Sequence, residues 1–251
     1  MAKLHHLGVA AAAALALAGL TRAASAADCD PNALYLQIGD TQEPVIKALG
    51  KKLVDSSVFP FRIVYVTSGS CTNIDAMYTG APINTNMLYI PSASEDPSWN
   101  PSKPSPTCTL PAPHPIDVAN SNVFVSTCTS DPVPAGLKLF QASIQAYVFV
   151  VPEMSQQAAI TAEEAYFVFG YGMQGQAEPW VDESFYFVRP PDKSTVQCMA
   201  KNIDVDAAYW KGVPLDKSSQ VLTDVATSSS PEKTIGILGV EIYDGARSVT
   251  N

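Results

Sequence analysis

Four hydroxyl residues in this chain, Thr41, Ser70, Ser194 and Thr195, each stand where an apolar β-rich run gives way to a helical pattern. A helix start carries free backbone N–H groups and a partial positive charge. It can hold an anion without a cationic side chain, and a hydroxyl there adds one more donor. Arg189 stands five residues before Ser194 and could grip an oxyanion through two parallel N–H bonds. The chemistry open to this set is non-covalent anion capture. Taken one at a time, each of the four hydroxyls is also an ordinary N-cap candidate, and a lone arginine is an ordinary surface charge.

Covalent chemistry finds little support. A Ser-His-Asp hydrolase needs a histidine base. Beyond the first 26 residues the one histidine is His114, in Pro113-His114-Pro115. Ser68-Gly69-Ser70 lacks the Gly-x-Ser-x-Gly elbow. No P-loop, dinucleotide fingerprint or zinc spacing is present, so neither cofactor nor metal is expected. An exported hydrolase stays as a rival class, and no enzyme activity is expected.

The elements that must position these residues follow one grammar: β-rich run, polar turn, helical pattern. Leu34–Ile38 leads through Gly39-Asp40-Thr41 into Val45, Ile46, Leu49 and Leu53. Thr41 is the expected N-cap, and Pro44 suits a first turn. Arg62–Val66 leads through Thr67–Ser70 into Ile74, Met77 and Tyr78. Ser184–Arg189 leads through Pro190–Thr195 into Val196, Met199, Ala200 and Ile203. Strand and helix alternating in this way predict an α/β fold with mostly parallel sheets. In such sheets the turns lie at the carboxyl ends of the strands, where ligands bind.

Other stretches fill in the architecture. Pro91–Pro115 carries eight prolines and reads as a surface excursion. Ile116–Val125 reads as a strand broken by a polar turn. Gln145–Val151 reads as a strand covered on both faces. Thr161-Ala162-Glu163-Glu164 is a capping box for a helix through Phe169, and Ile235–Val240 is a late apolar strand.

The chain opens Met1-Ala2-Lys3, with an apolar run from Leu7 to Leu20 and small residues at Ala24-Ser25-Ala26-Ala27. This is the form of a secretory signal peptide over 1–26 and predicts a periplasmic or secreted protein. Removing Lys3 and Arg22 takes the formal charge from −9 to −11. Such an acidic balance argues against nucleic-acid or anionic-membrane partners held by bulk charge. Five cysteines in an oxidising compartment predict two disulfides and one free thiol. The pairing stays open. Cys108 with Cys128 would staple the Pro-rich loop, and Cys198 is the candidate for the buried thiol.

Five motifs in order give the chain a resemblance. Gly39-Asp40-Thr41-Gln42-Glu43-Pro44, Ser68-Gly69-Ser70-Cys71, Asp117-Val118-Ala119-Asn120-Ser121-Asn122, Gln145–Pro152 and Arg189–Thr195 resemble successive segments of the periplasmic phosphate-binding proteins of ABC transporters. The resemblance implies a two-lobed, type 2 periplasmic-binding fold, with lobe one over 28–140 and lobe two over 141–251. It implies that Thr41, Gln42, Ser70 and Asn122 face an oxyanion from the first-half motifs. Arg189, Ser194 and Thr195 would close from the second. Phosphate or a related oxyanion would be the ligand, a membrane ABC permease the partner, and the protein a monomer.

Two departures change the implied chemistry. Asn122 stands where the family has a carboxylate that accepts the proton of hydrogen phosphate, so discrimination against sulfate should relax. Lys193-Ser194-Thr195 replaces Ser-Gly-Thr, adding a cation and losing a glycine. The family also has a return segment that completes lobe one after lobe two. Here the sequence stops at Asn251, so either the chain is truncated or lobe one is small. A relative that kept the fold as a structural or interaction protein and lost the ligand is the alternative reading.

Overall fold

In this computed structural model, residues 27–142, 145–247 and 250 are described; the expected signal peptide over 1–26 lies outside them. Two sheets organise the chain. The first half supplies β1 (Leu34–Gly39), α1 (Glu43–Val54), β2 (Ile63–Ser68), α2 (Ser70–Thr79), β3 (Met87–Tyr89), β4 (Thr107–Cys108), β5 (Val118–Ala119) and α3 (Val125–Cys128). The second supplies β6 (Tyr147–Val150), α4 (Ala162–Tyr171), β7 (Tyr186–Val188), α5 (Ser194–Ile203), β8 (Val213–Pro214), α6 (Ser218–Ala226), β9 (Ile235–Gly239) and α7 (Val240–Asp244). Strand order is β4-β3-β2-β1-β5 in one sheet and β6-β9-β7-β8 in the other. The two sheets define two lobes, and between α3 and β6 the described chain passes from one to the other once.

Pairing is parallel where the site turns arise. β1 runs parallel to β2 and β5, and β7 runs parallel to β8 and β9. Strands β3, β4 and β6 are antiparallel to their neighbours. The α/β expectation therefore holds, with sheets that are mixed at their edges.

The lobe-one sheet is covered on both faces, as period-two alternation requires. Tyr35 and Val64, paired in register, pack with Cys29, Ile83, Met87 and Cys108 on one face. Leu36 and Tyr65, the next pair, pack with Ile38, Ile63, Ile90 and Trp99 on the other. Lobe two repeats the logic along β9, where Ile235 and Ile237 face one cluster and Leu238 the other. Each buried Ile, Leu or Val contributes about 1.5–3 kcal/mol. In α5 the expected stripe Val196, Met199, Ala200 and Ile203 is buried, so the helix is clamped to the sheet and its first residues are held at the strand ends. The capping box at Thr161 and Glu164 is formed in both directions.

Several expectations are corrected. Two disulfides form and Cys198 is the free thiol, as expected, but Cys108 pairs with Cys29 and Cys128 with Cys71, and Cys198 is only partly buried. Cys108 lies on β4, whose pairing with β3 brings it to the N-terminal segment beside Cys29. The Pro-rich excursion is anchored by that strand and by buried Trp99, whose indole N–H donates to the Pro104 carbonyl. Ile116–Val125 forms only a two-residue strand, then turns into α3. Gln145–Val151 contains β6, covered on both faces as expected, with Val148 and Val150 on one cluster and Phe149 on the other, but it lies at the sheet edge, antiparallel to β9 and part-exposed at Tyr147–Phe149.

Candidate functional site

The site lies where β1, β2 and β7 end and α1, α2 and α5 begin. Thr41 is not the N-cap expected of it. Gly39 is extended, a 3-10 turn over Asp40–Gln42 follows, and α1 starts at Glu43 with Pro44 in its first turn. Ser70 is the first residue of α2, behind the extended cap Gly69. Ser194 and Thr195 are the first two residues of α5, behind Lys193. None of these three caps makes a side-chain capping bond. Ser70 and Ser194 sit one residue past these caps, and Thr41 and Thr195 two. Thr41, Ser70, Ser194 and Thr195 are all buried.

Asn122 sits among them. Its Nδ2 donates to Thr41 Oγ1 at 2.9 Å and reaches Ser194 Oγ at 3.4 Å. Its backbone N–H donates to Ser70 Oγ at 3.0 Å. One asparagine thus joins three hydroxyls from three helix starts and two lobes. Its approach is close: a Cβ on Gly39 would lie 3.4 Å from Asn122 Nδ2. The segment carrying Asn122 is fixed twice, by Asn73 Nδ2 donating to the Asn120 carbonyl at 2.7 Å and by the Cys71–Cys128 disulfide.

Arg189, a buried residue, belongs to a second cluster at the same cleft. Its Nε donates to the Leu215 carbonyl at 2.9 Å and its Nη2 to the Asp216 carbonyl at 2.7 Å. Nη1 donates to Ser218 Oγ. Nη2 also reaches Asp40 Oδ1 at 3.2 Å, across the lobe boundary. Asp40 Oδ2 accepts from the Ser218 backbone N–H at 3.2 Å. The guanidinium is thus held by lobe two and paired with a lobe-one carboxylate. Gln42 meets the other lobe through Gln145: its Nε2 donates to Gln145 Oε1 at 3.0 Å, and Gln145 Nε2 donates to Glu241 Oε1 at 2.6 Å.

Four contributors were not singled out from sequence: Asp40, Ser218, Asp192 and Tyr147. Ser218 was within reach, since Val213-Pro214, Asp216-Lys217-Ser218 and Val221, Leu222, Val225 repeat the strand-turn-helix grammar. Asp192 leans on the start of α2, its carbonyl accepting from Cys71 N at 3.3 Å and its Oδ2 from Thr72 Oγ1 at 3.2 Å. Tyr147 brings a hydroxyl from β6. Burial pushes its pKa well up, while hydrogen bonds with Ser194 and Asn122 pull the other way and the charges of Cys198 and Glu241 add to the rise. It is a neutral donor throughout the physiological range.

Beside these groups lies a cavity of about 230 Å³ lined by Asp40, Thr67, Ser68, Lys193, Asp216 and Lys217. Drug-sized ligands take roughly 300–1,000 Å³, so the space suits a small ion. A hollow of about 280 Å³ beside Asp30, Arg62 and Glu95 sits at the amino ends of β1 and β2, the end where α/β sheets seldom bind ligands. His114 is accounted for structurally: it stacks on Tyr35 at 3.7 Å and bridges to Ile83. Among the described residues no cluster of metal-ligating side chains occurs, and no helix is long and apolar enough to cross a membrane.

No family model and no curated protein matches the sequence. Among solved structures, the chain is similar to a possible phosphate binding protein from Planctomyces limnophilus, with a TM-score of 0.44 and 12% identity over 90% of this chain and 69% of that one. It is also similar to PstS from Borrelia burgdorferi, with a TM-score of 0.42 and 11% identity over 86% of this chain and 74% of that one.

Proposed function

We propose that this chain is an exported solute-binding protein that takes phosphate or a similar tetrahedral oxyanion between its two lobes and delivers it, as a monomer, to an ABC permease. The observation that carries the reading is the convergence of three helix starts without side-chain caps, from both lobes, on Asn122, which bonds a buried hydroxyl from each. Ordinary capping would turn those hydroxyls back onto their own helices. Here Thr41, Ser70 and Ser194 turn toward one another, and the start of each helix adds its partial positive charge.

In this reading the anion displaces Asn122 from its hydroxyl partners. Thr41, Ser70, Ser194, Thr195 and Tyr147 then donate to it, with backbone N–H groups at Gln42 and at the starts of α2 and α5. Arg189 supplies charge from the rim, shared with Asp40. With Asn122 where a proton-accepting carboxylate would stand, sulfate and phosphate should bind within about tenfold of each other, since the pocket presents donors to both. Titration calorimetry with each anion tests this. Heat from either supports the reading; no heat from either at millimolar concentration contradicts it.

A second reading has its own observation. The polar groups are already paired with one another: Asn122 with Thr41 and Ser194, Arg189 with Asp40, Asp192 with the α2 start. A self-satisfied cleft is what a structural protein of this fold would keep after losing its ligand. The same titration separates the two, because a purely structural cleft gives no heat.

A further inference from the structure

We propose that Asp40 is an interlobe latch, a carboxylate of this chain's own that holds the two lobes together and occupies the Arg189 and Ser218 cradle against any entering anion. Asp40 belongs to the 3-10 turn after β1, in lobe one. Its two oxygens reach Arg189 Nη2 at 3.2 Å and the Ser218 N–H at 3.2 Å, with Ser218 Oγ at 3.5 Å; all three groups are in lobe two. Ser218 opens α6, a nine-residue helix, so the carboxylate also meets the positive end of that helix.

The cradle is rigid. Carbonyls of Leu215 and Asp216 and the Ser218 hydroxyl fix the guanidinium within lobe two, and its side chain is 1% exposed. Arg189 therefore cannot follow Asp40 when the lobes part. Opening breaks the pair, and a pair this shielded from water is screened little by salt. The described chain joins the lobes once, so their relative position depends on contacts of this kind. Asp192 makes the mirror contact from lobe two onto α2. Lys193, Lys217 and Asp216 line the cavity beside Asp40 and complete the charged groups facing it.

The latch has two consequences. Without the Asp40 charge, the lobes separate more readily. In addition, Arg189 and the α6 start become available to an added oxyanion; this second consequence rests on the binding function proposed above, while the first does not.

The test compares full-length mature protein with Asp40→Asn and Asp40→Ala. Small-angle scattering without added anion should give a larger radius of gyration in both variants, and hydrogen exchange at the Ser218 amide should accelerate. Circular dichroism checks that both remain folded. An unchanged radius together with unchanged Ser218 exchange in folded Asp40→Ala overturns the latch. Phosphate and sulfate titrations of the same proteins separate this failure from failure of the binding function. Variants that open but bind neither anion sustain the latch and contradict binding. Variants that bind more tightly by tenfold or more with no change in radius or exchange contradict the latch.

Discussion

At the scale of single residues, the proposed function gives Asn122 the choice between anions. Its Nδ2 is a donor shared between Thr41 and Ser194. Asn122→Asp replaces that donor with a charge that repels a full dianion and accepts the proton of hydrogen phosphate. The variant should lose sulfate binding by at least tenfold relative to phosphate, read by paired titrations at neutral pH. Equal loss of both anions would place Asn122 outside the ligand shell. Thr41→Ala removes one hydroxyl donor to a charged ligand, an interaction of roughly 1.5–3 kcal/mol. It should weaken oxyanion affinity about 10- to 100-fold, and an unchanged dissociation constant contradicts the role given to Thr41. Tyr147 offers a pH test. Its pKa is raised by burial, so its ionisation should take no part in the pH profile of binding between pH 6 and its ordinary value of 10.0. If Tyr147→Phe removes a decline in binding within that window, the hydroxyl ionises there and the burial argument is wrong.

At the scale of elements, close approach and cross-links hold the three helix starts in place. Gly69 lies against Asp192 of the other lobe, and a Cβ there would come within 2.8 Å of the Asp192 carbonyl oxygen. Gly69→Ala should push α2 away from lobe two and lower both the melting temperature and oxyanion affinity. Binding as tight as that of the unsubstituted protein would mean that the lobe contact is incidental. Removing the Cys71–Cys128 disulfide with paired alanines should cost about 2–5 kcal/mol of stability, seen as a lower denaturant midpoint. Acid should act on the turns. Asp96 is held below its ordinary 3.8 by the Ser98 hydroxyl and amide, and Glu232 below its ordinary 4.5 by the Gln156 amide. A lowered folded value adds stability above the ordinary value and loses it as pH falls through the folded one. The melting temperature should therefore hold steady above pH 4.5 and drop below it. The strand-turn-helix grammar was legible at this scale because parallel strands and clamped helices leave apolar runs with period two and then 3.6. The stripe of α5 and the capping box of α4 were read correctly in full. The edge position of β6 was not, since an apolar run looks alike in a central strand and in an edge strand packed on two clusters. Nor were Asp40 and Asp192 legible as lobe contacts, because the partners of a turn carboxylate 149 or 120 residues away leave no periodic trace.

At the scale of the whole molecule, the carboxyl ends of parallel strands in two sheets face each other across one cleft. Among the described residues, polar groups bridge it at four places: Asn122, Gln42 with Gln145, Asp40 with Arg189, and Asp192 with α2. The proposed function requires this cleft to take a small oxyanion. Isothermal titration of the purified mature protein with inorganic phosphate and with sulfate tests it most directly. Saturable one-to-one heat from at least one of them, weakened by Thr41→Ala, is the result expected. Flat titrations with both anions, from a folded protein at millimolar ligand, would contradict it.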